Sequence, residues 1–202
     1  MTVVELYADP SCPFTWITAS WLRGVKSDDL RFSIRPLSLA IINAGEDVPE
    51  QYARMHRAAL PVLRVIDTLR TEVGEDAGTA LYFAAASTFH GSEASEFGDV
   101  ATHLSDLGLD PALAAAAEDQ SIDASLSEQV DAAFALVGER CGSPVLGFPE
   151  LGRGLWGPVL RRVPTGAEAA ELLAALETLA GLDGFSQVKA ALDGDLELPG
   201  AD

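Results

Sequence analysis

With 202 residues, 48% of them hydrophobic, the chain can bury a sizeable core as one domain without help from a metal or a disulfide framework. Thirteen lysines and arginines stand against 31 acids spread along the sequence, a net charge of -18, which argues against nucleic acid and anionic membranes as partners. The N-terminus shows no basic segment leading into a long apolar stretch, no run approaches the ~20 apolar residues of a membrane span, and the two cysteines lie too far apart for a disulfide scaffold, so a reducing, cytoplasmic setting is expected.

Val3-Val4-Glu5-Leu6-Tyr7-Ala8 reads as a buried strand stopped by Asp9-Pro10. A helix follows from about Pro13 to Val25, with the proline in its first turn, where the missing N–H is not needed. Arg31 to Pro36 alternates polar and apolar like a strand, completing a β-α-β unit that favours a parallel pair. From Pro49 to about Arg140 strand signals nearly vanish. Apolar residues there recur at three and four, as in Leu60, Leu63, Ile66 and Leu69, then Phe83, Ala86 and Phe89, which predicts a lobe of four or five helices. Asp110-Pro111 and Ser121 with Asp123 mark helix starts within it. Sheet signals return at Val145 to Phe148 and at Leu155-Trp156, either side of a turn-rich connection. Thr165 with Glu168 has the pattern of a capping box, predicting a helix to about Ala180. The tail from Gly194 to Asp202 is short, acidic and expected to be loose.

Cys12 stands between the first strand and the first helix, where backbone N–H groups and the helix dipole favour a thiolate. Lowering a thiol from its ordinary ~8.5 to ~6 requires roughly 3.4 kcal/mol, whereas the dipole alone supplies about 0.3–1 kcal/mol. Direct hydrogen bonds to sulfur, from the first-turn N–H groups and the Thr15 hydroxyl, are needed for the rest.

The order of strand, Cys-bearing helix, strand, helical stretch, Ser-Pro, hairpin and helix resembles the DsbA-like proteins, and most closely the actinobacterial mycothiol-dependent nitroreductase group. The matching stretches are Asp9 to Trp21, Ser38 to Asn43, Pro49 to Tyr52, Gly142-Ser143-Pro144, Gly157 to Leu160 and Pro164 to Gly166. The resemblance implies an α/β, thioredoxin-like fold with a helical insertion, residues 1–45 and 141–202 forming the core and 46–140 the inserted lobe. It also implies a mixed disulfide between the first cysteine of an Asp-Pro-x-Cys-Pro-Trp-Cys-Trp segment and a low-molecular-weight thiol, with the second cysteine resolving it. Here Pro13 and Phe14 stand for Pro-Trp, and Thr15 stands where the resolving cysteine would be. The catalytic candidates are therefore Cys12 and Thr15. Pro13, Phe14, Trp16, Asn43, Tyr52, Ser143 and Pro144 are the candidates for binding thiol and substrate, the Ser143–Pro144 bond being cis by analogy with the family.

Three functions are compatible with these residues. The first is a monothiol oxidoreductase using mycothiol or another small thiol to reduce a small electrophile such as a nitroaromatic or a quinone. The second is a thiol transferase or isomerase similar to the kappa-class glutathione transferases, and the third a non-catalytic thiol- or peptide-binding module. Cys141 reads either as a helix-end cysteine or as a surrogate resolving thiol, the former favoured because a position two before Ser143 lies far from the reactive sulfur. Trp21 is expected in the core and Trp156 in the core or a pocket wall, and His90 reads as a solvated or capping residue ahead of a site residue. His56 and His103 show no ligand spacing, so no metal is predicted. A homodimer is compatible with the sequence.

Overall fold

In the computed structural model, which describes residues 2–27, 29–92, 95–138 and 140–200, strand β1 (Thr2–Ala8) and strand β2 (Leu30–Pro36) pair in parallel along their whole length, Thr2 opposite Leu30 and Ala8 opposite Pro36. They are joined by helix α1 (Pro13–Gly24). Strand β3 (Val145–Phe148) runs antiparallel to β1, and β4 (Arg153–Trp156) antiparallel to β3, giving the sheet order β2-β1-β3-β4. Between β2 and β3 the chain forms α2 (Leu39–Ile42), α3 (Glu50–Glu72), α4 (Glu75–Gly91), α5 (Val100–Asp106), two 3₁₀ stretches (Pro111–Glu118 and Gln120–Ile122) and α6 (Asp123–Val137). Helix α7 (Gly166–Gly181) follows β4. Among the described residues no helix is long and apolar enough to cross a membrane.

Alternation along β1 divides the core. Val4, Leu6 and Ala8 join α1, α3 and α4 in the larger cluster, whereas Tyr7 packs with Leu37, Val130, Cys141 and Val145 in a smaller one beneath α2 and α6. Gly147 lies directly opposite Gly154, and a Cβ on either would come within 3.1 Å of the Leu136 side chain. Two bare backbones in register thus let α6 lie against the sheet.

A chain of charged groups ties the sheet to the helices. The Arg35 guanidinium donates to Glu5 across β1 and β2 and reaches Glu75 at 3.3 Å. Glu75 also takes Arg70 at 3.0 Å, and Arg70 pairs with Asp67 at 2.9 Å. Asp67 accepts from the Ser125 hydroxyl at 2.6 Å. Arg64 separately grips Asp123 with two hydrogen bonds of 2.7 and 2.9 Å and the Ala117 carbonyl with a third of 2.8 Å. Arg70 and Asp67 are both buried, whereas Glu75 is 44% exposed, so the chain runs from the interior out to the surface.

Two local expectations fail. The Thr165 side chain makes no capping bond, and the Glu168 carboxylate, instead of closing the box, receives Arg162 through two bonds of 2.9 and 2.8 Å. The acidic tail predicts looseness, but its described part is laid on the molecule, residues 201 and 202 lying outside the described residues: the Glu197 N–H donates to the Arg161 carbonyl at 2.8 Å, the Arg161 side chain pairs with Glu197, and the Trp16 indole N–H reaches the Pro199 carbonyl at 3.4 Å.

Candidate active site

Cys12 is the residue immediately before α1, with extended backbone (φ -83°, ψ 117°), and Pro13 opens the helix. A turn closed by the Cys12 N–H on the Asp9 carbonyl, 3.1 Å, carries the chain from β1 into this position. Cys12 is 7% exposed, and its sulfur donates to the Ser143 carbonyl at 3.4 Å. The Ser143–Pro144 peptide bond is cis.

Thr15, wholly buried one turn into α1, sets its hydroxyl 2.6 Å from the Ser143 hydroxyl. The Ser143 oxygen already accepts the Asp9 N–H at 2.9 Å, so its own proton is available to Thr15. The Thr15 proton is in turn available to the sulfur. The site therefore holds a chain of hydroxyls, Ser143 to Thr15 to Cys12, where the related motif would have a second sulfur.

The expected acidification of the thiol does not hold in this closed arrangement. Burial pushes the Cys12 pKa above the ordinary thiol value, and the charge of Asp9 pushes the same way. Hydrogen bonds from the Thr15 hydroxyl and from the Thr15 and Phe14 N–H groups pull against them without prevailing. The helix N-terminus is in place, but the sulfur beneath it is shut from water.

Asp9 is the residue that sequence reasoning missed, having read it as a strand stop. Its carboxylate is fully buried. It accepts from the Ser11 N–H at 2.8 Å, the Ser11 hydroxyl at 2.6 Å and the Leu39 N–H at 2.8 Å, so it binds the Cys12 turn to the start of α2. Burial raises its pKa; the Ser11 and Leu39 hydrogen bonds and the nearby His56 oppose the rise. His56 is pushed down by burial and up by Asp9, and its Nδ1 stands 3.5 Å from the Asn43 amide at the end of α2. The structure thus gathers Asp9, Asn43 and His56 on one side of Cys12. An Asp-Pro one residue short of a reactive cysteine was the available signal.

His90 is neither solvated nor a cap. Its Nε2 lies 3.0 Å from the Pro10 carbonyl, which can only accept, so Nε2 carries the proton. The ring stacks on Trp16 with centroids 6.0 Å apart and planes 9° apart, and burial pushes its pKa down to about 4. Trp16, expected in the pocket, is 1% exposed; Phe83, His90 and Pro199 enclose it behind the thiol. Trp21 is a core residue that donates to the Ala169 carbonyl at 3.0 Å.

Pro13 and Phe14 are half-buried beside the thiol, Pro144 is buried, and Tyr52, in the first turn of α3, is 47% exposed. Trp156 ends β4 opposite Val145 and is 54% exposed. The next residue, Gly157, donates its N–H to the Pro144 carbonyl at 2.9 Å and precedes a second cis proline, Pro158, whose carbonyl accepts from the Thr18 hydroxyl at 2.9 Å. Both cis segments therefore bear on α1. Cys141 is buried in the smaller cluster, its thiol pushed up to about 11, and forms no disulfide.

Residues 11–190 match the family described as Rv2466c-like, mycothiol-dependent nitroreductase Rv2466c. Among solved structures the chain is similar to the cytosolic disulfide reductase DsbM from Pseudomonas aeruginosa, with 16% identity and a TM-score of 0.54, over 88% of this chain and 100% of that one. The likeness establishes the DsbA-like thioredoxin fold.

Proposed function

The chain belongs to the mycothiol-dependent nitroreductase family of oxidoreductases, and we propose from that premise that it is a monothiol enzyme in which Cys12 forms and releases a mixed disulfide with a small thiol, mycothiol first among the candidates. The observation that carries this reading is the replacement of the second sulfur by a hydroxyl, Thr15, paired to Ser143 at 2.6 Å. No neighbouring thiol competes for the Cys12 mixed disulfide, so a free thiol must resolve it.

In the first half-reaction Cys12 and one thiol molecule each give up a proton and an electron to a two-electron acceptor, and their sulfurs join. In the second, the thiolate of another thiol molecule attacks the mixed disulfide at the cofactor-side sulfur; the new bond forms between the two small thiols and the Cys12 thiolate leaves. The sum is two thiols and one oxidised acceptor giving one disulfide and one reduced acceptor. Cys12 leaves as an anion in the second step, where the Thr15 hydroxyl and the Thr15 and Phe14 N–H groups are its donors. The Ser143 carbonyl, beside the Cys12 sulfur, is the backbone acceptor for an extended thiol. Asn43, Tyr52 and half-buried Phe14 line the approach, and the segment 46–140 shapes it. A nitroaromatic or quinone is the acceptor class that fits this aromatic surround.

A second reading draws on the buried, neutral thiol. Like a hydroxyl, a Cys12 S–H could polarise a bound thiol without passing through an enzyme disulfide, as in a kappa-class-like transferase. Intact-protein mass spectrometry after incubation with mycothiol disulfide and with glutathione disulfide tests the two. A single Cys12-dependent adduct, absent from Cys12→Ser and selective for one thiol, supports the monothiol cycle. No adduct, together with turnover that survives Cys12→Ser, supports the transferase.

A further inference from the structure

Trp16 touches the Cys12 turn twice. Its backbone N–H donates to the Cys12 carbonyl at 3.0 Å, and its ring stacks on His90, which holds the Pro10 carbonyl at 3.0 Å. Two of the residues enclosing that ring, Phe83 and His90, belong to α4; the third, Pro199, belongs to a segment without helix or strand, residues 182–200. Gly194, at φ 88°, brings this segment against the Arg161 side chain. Residues 195–199 are fastened there by the Glu197 N–H on the Arg161 carbonyl, the Arg161 guanidinium on the Asp195 carbonyl at 3.3 Å, and the Arg161–Glu197 ion pair. That pair is exposed, and therefore weak and screened by salt. A cavity of about 450 Å³ remains beneath, lined by Ser20, Arg23 and Gly24 of α1 and by Glu197, Leu198 and Pro199. The Ser20 hydroxyl, one turn past Trp16, is buried without a partner among the described residues. A cover that leaves both space and an unpaired hydroxyl under it falls short of native packing and comes away easily. The family match stops at residue 190, so residues 195–199 lie outside it.

We propose that residues 195–199 are a positioning strap: seated, they hold Trp16 in place and keep the Cys12 turn closed, and the sulfur opens to a small thiol when the strap lifts. This rests on the reading of Cys12 as the nucleophile. A sulfur as buried as this one must be uncovered before a thiol molecule can join it. Lifting the strap takes the Pro199 carbonyl away from the Trp16 indole N–H. An indole N–H left unpaired in the interior is unfavourable, so Trp16 turns toward water and releases His90, and with it Pro10. The strap reaches α7 through residues 182–193, which have no helix or strand, so it leaves without unwinding one.

The test is the pH profile of Cys12 alkylation by iodoacetamide, read by peptide-resolved mass spectrometry so that buried Cys141 serves as the internal reference. Hydrogen exchange over residues 194–200 reports whether the strap is seated. Wild type is compared with Arg161→Ala combined with Glu197→Pro, which removes the ion pair, the guanidinium and the N–H that fasten the strap. The control is Arg153→Ala, which removes the exposed pair to Asp183 on the same segment. Loss of one hydrogen bond and one exposed pair corresponds to about 5- to 10-fold. The double variant should exchange faster over the strap and alkylate Cys12 about 5- to 10-fold faster at each pH, with Cys141 at its wild-type rate and Arg153→Ala like wild type throughout. High salt, which screens the Arg161–Glu197 pair, should speed Cys12 alone in unmodified protein by a smaller factor. Equal Cys12 rates in wild type and the double variant, or Cys12 and Cys141 accelerating together both in the variant and in salt, would overturn the proposal. If wild type still forms a Cys12 adduct with mycothiol, such a result overturns the strap alone; absence of any Cys12 adduct overturns the monothiol reading and the strap with it.

Discussion

The hydroxyls of Thr15 and Ser143 lie 2.6 Å apart, joining the first turn of α1 to the loop before β3 at the point where the reactive sulfur faces both. Ser143 is thus bonded to the site three ways: its carbonyl to Cys12, its hydroxyl to Thr15, and the same hydroxyl to the Asp9 N–H.

Thr15→Val keeps the shape of the side chain and deletes the proton that the sulfur would receive. The Cys12 alkylation midpoint should rise by about one to two pH units, and return of the small-thiol adduct to free enzyme should slow, because the leaving thiolate has lost its donor. A stopped-flow trace of adduct reduction reads this directly; an unchanged rate would mean that the hydroxyl chain does no chemistry.

Asp9 binds its proton more tightly when folded than unfolded, burial being the largest cause. Its contribution to stability is therefore complete below the ordinary carboxylate pKa and is lost as pH rises through the raised folded value. Asp9→Asn cannot ionise. The melting temperature of wild type should fall relative to the variant as pH climbs from about 4 toward neutrality, whatever constant offset the lost hydrogen bonds impose. Parallel curves would show that Asp9 is not charged differently in the two states.

His90 has the opposite sign. Its pKa is depressed from 6.5 to about 4, so its contribution is present above 6.5 and is lost as pH falls toward 4. His90→Gln retains a donor for the Pro10 carbonyl and does not titrate. It should remove about 1–3 kcal/mol of the acid-side loss seen by chemical denaturation at pH 4 against pH 7.

Gly78→Ala tests the charged chain between sheet and helices. A Cβ there would lie 2.5 Å from the Arg70 Cγ and 3.0 Å from the Ile66 carbonyl. Arg70 cannot swing away without leaving Asp67 and Glu75. A loss of about 1–3 kcal/mol in urea denaturation is expected; a neutral result would show that α3 and α4 separate easily.

The frame of the site was legible because its signals are local. The apolar run ended by Asp-Pro, the proline opening a helix and the alternation of Arg31 to Pro36 each act within a few residues, and they led to β1, α1 and β2 within a residue or so at each end. What escaped depends on partners distant in sequence. The Thr165–Glu168 pattern was overridden by Arg162 taking the glutamate. The tail's acidity suggested solvation, yet one arginine on the loop before α7 was enough to dock it. Tyr82 sits inside an apolar helical pattern, where nothing nearby marks a phenol whose hydroxyl is buried without a hydrogen-bond partner among the described residues. His90 and Asp9 could be assigned only once α4 and the Cys12 turn were seen together.

The parallel stack of Trp16 on a neutral His90 also gives the protein an optical gauge. A protonated imidazole draws electrons from an excited indole, so the emission of Trp16 should dim when His90 gains a proton or when the Cys12 turn pulls Pro10 away from it. Trp21 is buried elsewhere in the core and Trp156 already faces solvent, so neither shares that neighbour. Unlabelled protein can then signal, by intrinsic fluorescence alone, whether the turn that carries its sulfur is seated or has moved.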